Sequence, residues 1–334
     1  MEQLYGYVLY GVTLASMGGI YALLALGLNI QWGFTGLFNT GIAGFLAVGA
    51  YTQALLTTPL SSRHIGGIEL PIPLAMLCAM VLSAIVAYGV ARACIRLRSD
   101  YLAIATLGIA EILRLIFKNE LWATNGPRGV SQIPRAFEDL PPPWNAIAFM
   151  AMVLLIVLVV YLLMERARVS PWGRMMAAIR ENEEAAAAIG KHVAHYRTES
   201  FVIGAAMMGL AGALLAQYLK QIDPQVSEPV TATFLVWVML IAGGSANNRG
   251  AILGAFLIWT IWSATQILTG FLPNEFVAFG YTVGNLQVRS AYVRVFLIGL
   301  ILQFILQRRP QGLLPEKRPA ASRPSSAHTD RDSS

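Results

Sequence analysis

Charge is scarce in this chain. Asp, Glu, Lys and Arg make up only 13% of its 334 residues, about half the share of a water-soluble domain, so it cannot cover itself with a hydrated surface. Cysteine is scarcer still: Cys78 and Cys94 both fall at or inside apolar runs, which excludes a disulfide framework and a cysteine-based zinc site. The four histidines, His64, His192, His195 and His328, lie in loops or the tail. His192 and His195 stand at i and i+3 without an acidic or Cys partner, so they read as surface residues and no metal is expected. No G-x-x-x-x-G-K-[ST] loop occurs, so the chain has no phosphate cradle of its own. Paired carboxylates and histidine clusters at helical spacing are missing from the apolar runs, which argues against an intramembrane enzyme. Met1 to Tyr10 contains Glu2 and no Lys or Arg. It lacks the basic start of a cleaved leader, and the first apolar run is expected to be retained.

What fills the space is hydrocarbon. Hydrophobic residues make up 56% of the chain and gather into runs near the roughly 18 residues that cross a bilayer core. The expected fold is an all-α integral membrane protein with about nine membrane helices, within a range of roughly eight to ten. Taken between charges, Pro and Gly, the runs are Tyr7 to Ile30, Gly36 to Leu56, Pro73 to Ala93, Tyr101 to Phe117, Trp144 to Met164, Thr198 to Leu219, Thr231 to Ala242, Ala251 to Leu268 and Ala291 to Gln307. The seventh is short, which fits a half-spanning helix or one buried among others.

The net charge of +6 lies in short clusters between runs, which suits membrane orientation and not nucleic-acid binding. With the C-terminus inside, the clusters at Arg92 to Arg98, Arg166 to Arg197 and Arg308 onward all fall on the cytoplasmic side, predicting N-out and C-in. The segments Thr57 to Ile72, Lys118 to Pro143 and Gly270 to Ser290 are then external loops, with a shorter one around Lys220 to Val230. From Pro310 to residue 334 the chain is rich in Pro, Ser, Ala and Arg and predicts a disordered cytoplasmic tail.

The longest internal loop, 165–197, reads as helix. Ser170 suits an N-cap, Pro171 the first helical position and Gly190 the stop. Trp172, Met175, Met176, Ile179 and Ala186 recur at helical spacing. Periodicity alone leaves two readings open: a helix lying on the bilayer or on its own protein, and a helix docked on a partner.

The text of that loop resembles a known element. Glu184-Ala185-Ala186, three residues and Gly190 are similar to the EAA loop of ABC-importer permeases. With Gly173-Arg174 and Ala178 to Glu183, the segment resembles the branched-chain amino-acid permeases of the LivH/LivM family, in the LivM-like branch. The likeness continues through Trp32 to Gly41 with Gly49-Ala50-Tyr51, through Leu97 to Leu107, through Thr124 to Gly129 with Asn125 replacing a Gly, and through Gly243-Gly244-Ser245, Arg249-Gly250-Ala251 and Arg309 to Leu314. The resemblance implies a transmembrane permease domain over residues 1–309 in a bacterial inner membrane. It implies ATPase subunits inside, a second LivH-like permease subunit and a periplasmic solute-binding protein outside. ATP would be hydrolysed by the partners, with no cofactor on this chain. It further implies that Arg180, Glu181, Asn182, Glu184, Ala185, Ala186 and Gly190 couple to the ATPase.

Two readings also stand open for Gly33, Gly36, Gly41, Gly44 and Gly49: close packing of helices through small faces, or a broken helix lining a translocation path. On the second, Gly36, Asn39, Thr40, Gly41 and Thr106 are the path candidates, with Asn39 and Thr40 offering hydrogen bonds. Gly243, Gly244, Gly250 and Gly254 make a comparable interruption and hint at related halves. Glu111 and Arg114, at i and i+3, can neutralise one another, and Glu199 suits the start of a helix. An ABC permease for branched-chain or other small apolar amino acids is the leading expectation. A urea or short-amide permease on the same scaffold is the alternative. An ion-coupled transporter would show more acidic or histidine groups at membrane depth than the one carboxylate, Glu111.

Overall fold

The computed structural model describes residues 2–62, 64–270, 275–278, 281–284 and 286–316. In chain order it forms α1 (Glu2–Leu28), which runs into a π-helical stretch Asn29–Phe34, then α2 (Ile42–Thr57), α3 (Ile72–Cys94), α4 (Ser99–Asn119) and the single turn α5 (Leu121–Thr124). Strand β1 (Val130–Ser131) precedes α6 (Trp144–Val169), α7 (Pro171–Glu181), α8 (Glu183–Ala188) and α9 (Val193–Leu219). Strand β2 (Gln221–Ile222) and a second π-helical stretch, Val230–Phe234, lead to α10 (Leu235–Gly243), α11 (Asn248–Gly270), the hairpin β3 (Glu275–Ala278) and β4 (Tyr281–Gly284), and α12 (Leu286–Arg308).

The apolar runs become helices because nothing inside them competes with the backbone ladder, and the packing is inverted relative to a water-soluble bundle. The centre is α1, α2, α9 and α10. Ile20, Ala22 to Leu28, Phe45, Leu46, Phe201, Met208 and Val236 to Leu240 are buried there, and Phe45 meets Phe201 edge to face at 5.6 Å. The rim is α3, α4, α6 and α12, whose outer faces expose Leu77, Ile85, Ile104, Ile112, Leu155, Leu163, Phe296 and Phe304. An apolar exterior this broad is stable only in hydrocarbon. Among the described residues five helices, starting at Gly6, Ile72, Trp144, Val193 and Asn248, are long and apolar enough to cross a membrane. The short seventh run forms α10, which is buried among the others, while its π-helical lead exposes Val230 and Phe234.

Small residues set the spacing at the centre. A Cβ on Gly49 would lie 2.0 Å from the Gly209 carbonyl oxygen, and one on Gly212 would lie 2.1 Å from that of Leu46, so α2 and α9 touch backbone to backbone.

Three expectations are corrected. The second apolar run does not begin its helix at Gly36. Residues 36–41 are irregular, with Gly36 at φ +72°, and α2 starts at Ile42. The loop helix is not continuous from Ser170 to Gly190: Asn182, extended at φ −154° and ψ 102°, divides it into α7 and α8. The expected tail does not come free at Pro310, because Gln311 to Glu316 lie against α7 and the α10–α11 turn. The remainder of that expected tail, 317–334, is outside the described residues. Three of the loops expected to be external also carry strands. Val130 pairs antiparallel with Ile222, and β3 pairs with β4.

Candidate coupling and translocation site

The two glycine-rich interruptions meet at one end of the bundle. The first is built from Asn29 to Gly41, where α1 loosens and the chain reverses into α2. Asn29 and Gln31 end an apolar helix with amides that must find partners once buried. Asn29 Oδ1 accepts from the Ala246 N–H at 2.8 Å, and its Nδ2 donates to Asn248 Oδ1 at 3.0 Å. Asn248 Nδ2 in turn donates to Glu165 Oε2 at 3.1 Å. Gln31 Nε2 donates to the Phe201 carbonyl at 2.8 Å. A Cβ on Gly33 would sit 2.6 Å from the Ala246 nitrogen, so the two breaks are in backbone contact.

The expected path residues separate into two groups. Asn39, Thr40, Gly41 and Thr106 come together where the first break crosses α4. Asn39 is fully buried. Its Nδ2 donates to Gln31 Oε1 and its Oδ1 accepts from the Gly41 N–H, both at 2.8 Å. Thr40 Oγ1 donates to the Ala103 carbonyl at 2.6 Å, while the Thr40 N–H donates to Thr106 Oγ1 at 3.1 Å. A Cβ on Gly41 would meet the Thr106 carbonyl at 2.8 Å. The hydrogen bonds that Asn39 and Thr40 were expected to offer a solute are therefore used within the chain, where they fix the shape of the break. Trp32, Phe38 and Trp237 pack behind it with centroids 4.5 to 5.3 Å apart, and Trp237 Nε1 donates to the Asn39 carbonyl at 3.1 Å. Gly36 stands apart, in a cavity of about 800 Å³ lined also by Trp32, Ser99, Arg180, Glu181 and Glu316.

The expected coupling residues also divide. The apolar stripe of α7 turns inward: Met176 joins the main core, while Ile179 and Ala186 pack with Val193 of α9. Trp172 Nε1 donates to Glu199 Oε2 at 2.9 Å, a tie from α7 to α9 beyond the dipole role expected of Glu199. Ser170 caps α7 and Asn182 caps α8, the latter accepting from the Ala185 N–H at 2.9 Å. Glu181, Asn182, Glu184, Ala185 and Gly190 are exposed, Glu181 also lining the cavity beside Gly36. Ala186 is buried, and Arg180 points into the protein, donating to the Gly33 carbonyl and to both Glu316 oxygens at 2.8 and 3.0 Å.

Sequence reasoning missed Asn29, Gln31, Asn248, Trp237 and Glu316. For Asn29 and Gln31 a signal existed, two amides closing an apolar run. Arg114 pairs with Glu111 through Nε at 2.8 Å, as their spacing implied. Among the described residues no group of three or more His, Cys, Asp or Glu could hold a metal.

An inverted helical bundle with two broken helices touching beneath a pair of surface helices is the architecture of an all-α integral membrane protein. Residues 10–306 match the profile of a family described as branched-chain amino acid transport system / permease component, and the chain belongs to that family. It is 31% identical to the high-affinity branched-chain amino acid transport system permease protein LivM of Salmonella typhimurium, over 92% of this chain and 71% of that one. The probable branched-chain amino acid transport permease protein LivM of Methanocaldococcus jannaschii is 29% identical over 90% of this chain and 91% of its own. The corresponding LivH of Escherichia coli is less similar, at 25% over 80% and 86%. No solved structure matches the chain.

Proposed function

We propose that this chain is the membrane-spanning permease subunit of an ABC importer for branched-chain amino acids, driven by separate ATPase subunits that dock on the outward face of α7 and α8. The observation that carries the reading is the division of that segment. Its apolar stripe is fixed to the protein's own core, while Glu181, Asn182, Glu184, Ala185 and Gly190 are exposed. Packing of the stripe on the protein's own α9 is the first of the two readings that periodicity left open, so the docking rests on the exposed residues and on their likeness to the EAA loop. The relatives named above are branched-chain amino acid permeases, which favours this reading over a urea or short-amide permease. Family membership likewise disfavours an ion-coupled transporter.

On this reading the chain pairs with a LivH-like permease subunit and receives solute from a periplasmic binding protein. It lies in the inner membrane with its N-terminus outside and α7, α8 and residues 309–316 inside. Alternating access is a rearrangement about the two breaks, where non-ladder backbone sits at membrane depth because it is buried in protein. Gly36 borders the inner mouth, and Asn39, Thr40, Gly41 and Thr106 hold the wall. A wall whose polar groups are already bonded presents few ionisable groups and suits a solute with an apolar side chain.

The test is uptake of labelled leucine by proteoliposomes holding the chain with its second permease subunit, ATPases and binding protein. Uptake that requires ATP and every subunit is expected. Uptake driven by a proton or sodium gradient without ATPases would refute the reading.

A further inference from the structure

The resemblance counts Arg180 among the residues offered to an ATPase, yet its guanidinium is half-buried and faces the helix breaks. One Nη donates to the carbonyl of Gly33 in the first break, and the other binds the Glu316 carboxylate at 2.8 and 3.0 Å. Glu316 ends a segment that is itself fastened to the second break. The last carbonyls of α10 have no partner within their own helix. They are met from some seventy residues further along the chain, where the Leu313 N–H donates to Ala242 O and the Leu314 N–H to Gly243 O, both at 2.9 Å. Asn247 Nδ2 donates to the carbonyls of Leu314 and Pro315, each at 3.2 Å.

The fit leaves no room for side chains. Gly244 at φ +114° and Gly312 at φ +80° lie against each other, and a Cβ on Gly312 would be 2.5 Å from Gly244 Cα. The pair is partly desolvated, one Nη being held by both carboxylate oxygens, and it keeps more of its strength than an exposed one. Arg180 thus joins α7, the first break and the C-terminal segment, which grips the second.

We propose that Arg180, Glu316 and the segment Gln311–Glu316 form a clasp that passes movement of α7 and α8 to both helix breaks, making the segment after α12 part of the coupling machinery. The inference rests on the importer reading. Arg180 is a positioning residue here, since it touches neither solute nor nucleotide. Loss of the clasp leaves the ATPase-facing surface in place and disconnects it from the breaks, so hydrolysis continues while transport lags.

The experiment compares wild type, Glu316→Gln and Arg180→Gln in the full reconstituted complex, reading ATP hydrolysed per leucine imported. Glu316→Gln keeps the size and one acceptor oxygen and so preserves folding. The ratio is expected to rise roughly tenfold, within the usual range of coupling between sites. An Arg180→Cys, Glu316→Cys pair, in a chain with Cys78→Ala and Cys94→Ala, is then joined by a short bifunctional thiosulfonate. The cross-link should return the ratio to within about twofold of wild type, and reduction should raise it again, a reversal that loss of folding would not show. An unchanged ratio in both single variants overturns the clasp, as does a ratio that the cross-link fails to restore. Wild-type complex that imports no leucine with ATP refutes the importer reading itself, and the clasp falls with it.

Discussion

The six-residue helix α8 is the part of the proposed docking face most exposed to a small perturbation. A helix that short is far below the length that sustains itself in water, so its order depends on its ends and on one buried contact. Asn182 Oδ1 accepts from the Ala185 N–H at 2.9 Å, Ala186 is buried against Ile179 and Val193, and Gly190 at φ +79° turns the chain out of the helix. Asn182→Ala removes the cap and leaves the rest. Losing such a cap costs about 0.5–2 kcal/mol. Asn182 is exposed, so water replaces part of the bond and about 1 kcal/mol is the reasonable figure. At 1.4 kcal/mol per factor of ten, that opens α8 about fivefold more often. Hydrogen exchange of the Glu183–Ala188 amides in the membrane-embedded protein should therefore quicken about fivefold. Asn182→Asp, which keeps the acceptor and places a negative charge at a helix start, should exchange as slowly as wild type. Equal exchange in wild type and Asn182→Ala would refute the reasoning, because α8 would then be held by its packing alone.

Other consequences are equally direct. Gly49→Val forces a side chain into the Gly209 backbone, so the folded yield and thermal midpoint in detergent should drop, by about 3 kcal/mol or more at a site with no room to relax. Gly89→Ala, which meets nothing within 4 Å, should leave both unchanged. The Lys220 ammonium bonded to Glu138 holds that carboxyl below the usual carboxylate range. The pair's contribution is fully present above pH about 4.3 and is lost as pH falls through the lowered folded value. The midpoint difference between wild type and Glu138→Gln should thus exist at pH 7 and shrink away as pH falls through that lowered folded value. A reporter fused after Arg309 should read cytoplasm and one within 118–143 should read periplasm; the reverse pattern would sink the nine-span arrangement with its N-terminus outside.

Much of the architecture was legible because lipid enforces simple rules. Apolar runs such as Trp144 to Met164 must be helical, and the expected starts of the first, fifth and later spans lie within a few residues of the observed ones. The glycines were harder, because a glycine marks close approach without naming the partner. The same pattern served as tight packing at Gly49 and as a broken helix at Gly36. The packing reading thus holds at Gly49 and the helix is broken at Gly36, while the lining of a path is the proposal made above. The break at Asn182 was hidden by the helix-favouring residues on either side, although Asn is a good N-cap and the two Glu after it suit a first turn. Arg180 was grouped with the ATPase-coupling residues through the likeness to the EAA loop, which says nothing of the inward contacts it makes. Its partners, Gly33 and Glu316, lie far away in sequence, and no periodicity could have joined them. Residues 310–316 read as tail from composition alone, since their order comes from backbone bonds to α10 that side-chain chemistry does not reveal.

The central claim is that an ATPase acts on this chain through the outward face of α7 and α8. The measurement that reaches it most directly is ATP-dependent leucine uptake by a Glu184→Lys, Gly190→Trp variant in the reconstituted complex. Both positions are exposed and nothing lies within 4 Å of a Cβ on Gly190, but its φ of +79° strains any side chain placed there, so insertion and folded yield are measured beside uptake and Glu184→Lys alone serves as the unstrained variant. Uptake and substrate-stimulated hydrolysis should fall together, with weakened retention of the ATPases on the complex. Uptake at the wild-type rate from normally inserted variant would contradict the account, because the face it assigns to the ATPase would then touch nothing that drives transport.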